Sequence, residues 1–242
     1  QLQNALDVVD EALDAQPPSA TVSSSVWRFR LLRAEILIAR SEPREALPLL
    51  AAPLPHDPAF DKHRARQKYL SAKVQAAHGS LKEALATLAE ARDAARPSRD
   101  LVWDIAILEG QVGLRLGQWA EAEAALNAVV AEAGRAGDVY RQALALNNLG
   151  MGRLVRGRFD EAVTWFERVL DMAAVEPTSV YGVALNNAGI CYSRLGLFER
   201  AIEIQRRAID IQRTQGGPKA LVDALGEELA PDVLAEGRVA RV

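Results

Sequence analysis

Cysteine is almost missing from these 242 residues: Cys191 is the one copy. A disulfide within the chain is thereby excluded, and a reducing, cytoplasmic setting is the expectation. Aromatic residues make up 5% of the chain, too few for the Phe, Tyr and Trp enrichment of sheet-rich proteins. The three histidines, His56, His63 and His78, crowd the first third, and none has metal-ligand spacing to another His or to the cysteine. No apolar run approaches the ~20 residues a membrane span needs. With a net charge of −3, no global basic field draws nucleic acid or an anionic membrane. The sequence opens at Gln1, with neither Met nor a signal peptide. It is expected to be a fragment or processed chain, leaving room for an effector domain elsewhere.

Catalytic constellations are missing as well. Gly150 to Gly157, GMGRLVRG, lacks G-x-G-x-x-G spacing and follows no strand. Cys191 stands at a small-residue position of an apolar helix and reads as an inert core thiol. Trp27, Trp103, Trp119 and Trp165 read as packing residues rather than base-stacking ones. The chain is read as a non-enzyme that takes no cofactor and no metal.

What is abundant is Ala, Leu, Arg and Glu, a helix-forming mixture. It is arranged in copies of one pattern: SEPREALPLL from Ser41, GSLKEALATL from Gly79, GQWAEAEAAL from Gly117, GRFDEAVTWF from Gly157 and GLFERAIEIQ from Gly196. The copies start 38, 38, 40 and 39 residues apart, the mark of tandem structural repeats. In each, one apolar-periodic helix ends at the small residue and a second begins just after it. Gly tolerates the positive φ of a helix C-cap; Ser41 takes that place in the first copy. Pro58, Pro97, Pro177 and Pro218 stand where helices stop or restart.

Paired helices are predicted at 22–40 with 42–52, 60–78 with 81–95, 98–116 with 119–134, 138–156 with 159–174, and 178–195 with 198–214. The corresponding repeats span 22–58, 60–97, 98–136, 138–176 and 178–216. A lone helix at 2–15 reads as half of an earlier repeat, and 219–230 as a partial sixth repeat or capping helix; beyond Pro231 the periodicity fails. The fold class is therefore all-α, a right-handed α-solenoid, with 1–242 expected to be a single array. One repeat cannot bury its apolar face alone, so neighbours must stack.

The pattern resembles the tetratricopeptide repeat, W-x2-L-G-x2-Y followed by A-x3-F. The fourth copy has Leu146, Leu149, Gly150 and Arg153, then Ala162 and Phe166; the fifth has Leu185, Ala188, Gly189 and Tyr192, then Ala201 and Gln205. The third keeps Gly110, Ala122 and Leu126. The first two keep Ala46 and Ala84 but carry Ala34 and Ala72 in place of the first-helix glycine. Long repeats with LNNLG are similar to those of kinesin light chains and of bacterial regulators. The resemblance implies an interaction module whose first helices line a concave groove for a protein or peptide segment. Two alternatives go with it. One is the sensor region of a larger signalling enzyme, such as a STAND-type NTPase or a caspase-like CHAT protease. The other is a scaffold that self-associates through exposed terminal repeats.

If the first-helix Gly or Ala is numbered 8 in each repeat, positions 4, 7, 8 and 11 share one side at about 100° per residue. Positions 2, 5, 6, 9, 12 and 13 lie opposite and are expected to form the inner wall. That wall carries five bases, Arg28, Arg66, Lys73, Arg115 and Arg194, against Glu35 and Asp104. Taking five from 29 basic residues leaves 24, and taking two from 32 acidic ones leaves 30. The wall is thus mildly positive on a mildly negative chain, which favours an acidic or carboxylate-bearing ligand. The candidate groove residues are Arg66, Tyr69, Lys73, Gln111, Arg115, Asn147, Asn148, Met151, Asn186, Asn187, Ile190 and Arg194. The pairs Asn147–Asn148 and Asn186–Asn187, in ALNNLG and ALNNAG, are weak helix formers placed mid-helix. One Asn of each pair is expected to clamp a ligand backbone and the other to serve structure. The rival is an Asn ladder between adjacent helices.

Overall fold

The computed structural model describes residues 2–15, 23–95, 98–172 and 179–215, with positions 95, 179, 205 and 208–215 described by backbone alone. The described residues fall into two compact units that divide between Arg99 and Asp100. Both are all-α and built from helical hairpins in tandem. The expected helix at 219–230 and the prolines at 97, 177 and 218 lie outside the described residues.

The first unit holds α1 (Leu2–Asp14), α2 (Ser24–Ala39), α3 (Pro43–Ala51), a single 3-10 turn (Pro58–Phe60), α4 (Asp61–Ala77) and α5 (Leu81–Ala95). Helix α2 starts where the Ser23 hydroxyl accepts from the Val26 N–H, a side-chain N-cap. It buries Val26, Trp27, Phe29, Leu31, Leu32, Ala34, Ile36 and Leu37 on almost every side, because α1, α3 and α4 all pack on it. Helix α1 turns Leu6 and Val9 inward, and its Asp10 accepts from Arg33 Nε at 2.6 Å.

The second unit opens with α6, which begins at Arg99 and runs to Leu116. There follow α7 (Trp119–Ala136), α8 (Val139–Val155), α9 (Phe159–Met172), α10 (Ser179–Arg194) and α11 (Phe198–Gln215). Asp138 caps α8 by accepting from the Arg141 N–H at 2.9 Å. The core runs from Trp103 and Ile107 through Leu126, Leu146, Leu149 and Phe166 to Ala184, Ala188 and Cys191.

Every hairpin closes in the same way. Ser41, Gly79, Gly117, Gly157 and Gly196 have φ of 64, 86, 76, 73 and 77°, and the next N–H reaches back five residues, as from Gln118 to the Gly113 carbonyl at 2.9 Å. This is the six-to-one bond that satisfies orphan carbonyls at a helix end. The first-helix glycines are fixed by contact. A Cβ on Gly110 would lie 2.6 Å from Leu126 Cγ, and one on Gly150 would lie 2.6 Å from Phe166 Cε1. Removing the Cβ is what lets the two helices of these hairpins close.

Candidate functional site

In the second unit the first helices α6, α8 and α10 lie side by side and parallel. Near their starts, Arg141 Nε on α8 donates to Asp104 Oδ1 on α6 at 2.8 Å. Near their ends, a Cβ on Gly152 of α8 would meet Leu114 Cδ2 of α6 at 2.8 Å. Arg141 also bonds Asp138 at 2.7 Å. Burial works against its charge, but hydrogen bonds and charge from Asp104 and then Asp138 outweigh that, and its pKa is raised. Arg153 on α8 likewise clips Glu123 on α7 and reaches Glu161 at 3.1 Å.

Between these helices run amide bonds. Gln111 Nε2 donates to Asn148 Oδ1 at 3.2 Å, and Asn148 Nδ2 donates to the Leu144 carbonyl at 2.9 Å. Asn187 Nδ2 donates to Asn147 Oδ1, also at 3.2 Å. Asn147, Asn148 and Asn187 are 6, 6 and 8% exposed, so their polar atoms are used inside the protein. In the second pair Asn186 is exposed and Asn187 buried. In the first pair both are internal. Position 6 thus faces the preceding first helix and position 5 the following one, so position 5 alone is open where no described neighbour follows, as at Asn186.

The other candidates divide by unit. In the first, Tyr69 is buried with Arg66 and Lys73 over its ring, 5.4 and 5.6 Å from the centroid. Arg66 also pairs with Glu35. In the second, Arg115, Asn186, Ile190 and Arg194 are exposed, while Gln111 and Met151 are half-buried. Position 13 makes the most open row across these helices: Arg115, Val155 and Arg194, with Val155 65% exposed. Val155 falls at position 13 of the expected inner wall but was not among the candidate groove residues.

The remaining chemistry is structural. Cys191 is fully buried, and burial pushes its thiol pKa up to about 11. The buried Trp103 donates Nε1–H to Glu132 at 2.8 Å. Trp119 and Trp165 are half-buried under Arg156 and Arg168. Among the described residues no cluster of three or more His, Cys, Asp or Glu side chains could hold a metal ion. No described helix is long and apolar enough to cross a membrane.

Tandem helical hairpins with close-packed glycines and edge-to-edge first helices define the helical-repeat class. Residues 141–214, helices α8 to α11, match the profile of the tetratricopeptide repeat, so this stretch consists of tetratricopeptide repeats. Among solved structures, the crystal structure of BtubC (BKLC) from P. vanneervenii is similar in fold. The TM-score is 0.65 at 17% sequence identity, over 89% of this chain and 92% of that one. No curated protein sequence matches the chain.

Proposed function

We propose that this protein is an interaction module that takes an acidic or carboxylate-bearing segment of another protein along the inner side of its first helices. Tetratricopeptide repeats generally act in protein–protein interaction, and the finer reading rests on how the inner charges are disposed. The two acids of the predicted wall are both engaged by arginines: Glu35 by Arg66 and Asp104 by Arg141. In the second unit the exposed part of the wall is then Arg115, Val155, Val183, Asn186, Ile190 and Arg194, with Met151 half-buried. In the first unit it is the Tyr69 ring edged by Arg66 and Lys73. Bases around apolar and aromatic groups suit a carboxylate-rich chain that also buries apolar stems.

Binding of a fluorescent Glu-rich peptide, followed by anisotropy in low salt, tests this. Arg115→Glu and Lys73→Glu should each weaken binding about tenfold, the equivalent of about 1.4 kcal/mol, with helicity unchanged. Equal binding of a Lys-rich control peptide, or affinities indifferent to both reversals, would refute the acidic-ligand reading.

A further inference from the structure

The two units join neighbouring first helices with different chemistry at equivalent positions. Arg141 lies nine residues before Gly150, and His63 lies nine before Ala72. Asp104 lies six residues before Gly110, and Arg28 lies six before Ala34. In the second unit these positions form the Arg141–Asp104 ion pair, at 2.8 Å. In the first unit they hold a histidine and an arginine. The seam there is α2 against α4, and one turn beyond His63 the Arg66 guanidinium of α4 donates to Glu35 of α2.

The His63 imidazole is half-buried in the first turn of α4. Its Nε2 lies 3.3 Å from Ser24 Oγ on α2, and its ring centre lies 5.8 Å from that of Phe60, which is itself buried. Nδ1 is shielded from water and has no hydrogen-bond partner among the described residues. With its proton on Nε2, the neutral ring donates to the Ser24 hydroxyl and leaves Nδ1 a bare lone pair. A second proton would create a buried Nδ1–H with no acceptor. The charges that act on the ring are Arg28 of α2 and Lys62 of α4, both positive; among the described residues none comes from α3, α5 or the 3-10 turn. Asp61, two residues away, is paired with Arg64. Burial, foremost, holds the His63 pKa below its ordinary value of 6.5; a hydrogen bond with the Ser24 backbone opposes this, and Arg28 and Lys62 reinforce it.

We propose that the α2–α4 seam is an acid-sensitive latch, held by neutral His63 and loosened when the imidazole takes up a proton. The proton goes to Nδ1, and the cation it makes stands against Arg28, where the second unit sets guanidinium against carboxylate. One position thus attracts in one unit and repels in the other. A base with a lower pKa in the closed state than in the open one binds more protons when open. The seam is therefore strongest above the open-state value and weakens as pH falls through it toward the closed-state value. The latch does not depend on what the inner wall binds.

Two measurements on the full chain test this. Histidine-ring NMR in the wild type needs no variant: His63 should titrate at a lower pH in the folded chain than in the same chain unfolded in urea. Hydrogen exchange, corrected for intrinsic rates, reads the seam itself. Between about pH 7.5 and about pH 5, protection of the α2 and α4 amides should fall at least about threefold in the wild type. It should stay level in His63→Gln, and α8, clipped by Arg141 and Asp104, should show no such fall. Arg28→Asp should reverse the sign, because a protonated His63 would then meet a carboxylate and acidification would tighten the seam; the direction of the change is the readout, whatever the variant's baseline stability. A folded titration at or above the unfolded one would overturn the proposal. So would seam protection indifferent to pH, an undiminished fall in His63→Gln, or an unreversed one in Arg28→Asp.

Discussion

Gly150→Ala measures how tightly the fourth hairpin is closed. An alanine Cβ would stand 2.6 Å from Cε1 of Phe166 and 2.9 Å from its Cδ1 and Cζ. Phe166 is fully buried, and its ring cannot bend out of the way as a flexible chain end can. Overpacking of this kind costs about 1–3 kcal/mol. Against it, replacing a mid-helix Gly by Ala gains about 0.5–1 kcal/mol. The stiff, enclosed ring puts the cost in the upper part of its range, so a net loss of about 1–2 kcal/mol is expected. For a chain of this size that lowers Tm by about 2–8 °C. Thermal and urea unfolding followed by far-UV circular dichroism would read it.

Two further variants isolate the cause. In the first two repeats the same position holds Ala34 and Ala72, and the equivalents of Phe166 are Leu50 and Leu88. Phe166→Leu should therefore recover part of the loss when combined with Gly150→Ala. Gly134→Ala is the contrast. Its Cβ would lie 2.5 Å from Gln142 Nε2, the far end of a flexible amide, at an exposed position. It should be neutral or stabilising by up to about 1 kcal/mol. If Gly150→Ala is as stable as the parent, or if the two alanine variants behave alike, close packing at Phe166 is not what requires the glycine.

Two other outcomes follow from the same contacts. Asn187→Ala strands a buried amide oxygen on Asn147 and should cost about 1–3 kcal/mol; in a double-mutant cycle with Asn147→Ala the two losses should be strongly less than additive, and simple additivity would argue against the rung. Glu123 is held below the ordinary glutamate range chiefly by its hydrogen bond from Arg153, against the opposing effect of burial and with help from the charges of Arg153, Arg156 and Arg158. A depressed carboxylate stabilises the fold above its unfolded pKa, and that contribution fades as pH falls through the folded value. Wild type should therefore exceed Glu123→Gln in stability at neutral pH and converge with it as the pH falls through the depressed folded value, whereas a difference that grows on acidification would contradict the assignment.

Much of the fold is legible in the sequence because it rests on local rules. Small residues before each second helix mark positive-φ turns, and even Ser41, without glycine's freedom, takes φ of 64°. Leu146, Leu149 and Gly150 were readable as facing the second helix, and Gly150 does approach Phe166. The site is less legible. A helical wheel gives a direction around one axis but not the closeness of the next helix, so Asn147 and Asn148 pointed toward an open wall and are instead packed against their neighbours. The partners that fix them are 37 and 40 residues away, and no periodicity announces such pairs. The Arg141–Asp104 clip, at a separation of 37, was hidden in the same way. Arg153, by contrast, stood at a signature position, but its partner Glu123 carries no mark of its role.

A protein made of similar parts risks assembling them in the wrong order. If α10 took the place of α8 beside α6, Val180 would stand where Arg141 stands, and Asp104 would lose its guanidinium. Tyr192 would likewise replace Arg153 opposite Glu123, although in the folded chain the Tyr192 hydroxyl donates to Glu167. Such a slip would preserve nearly all of the apolar packing, since small residues recur at every repeat, and would be penalised mainly by its stranded charges. The clips and rungs thus act as addresses: they add little to the burial that drives folding, but they say which repeat belongs next to which.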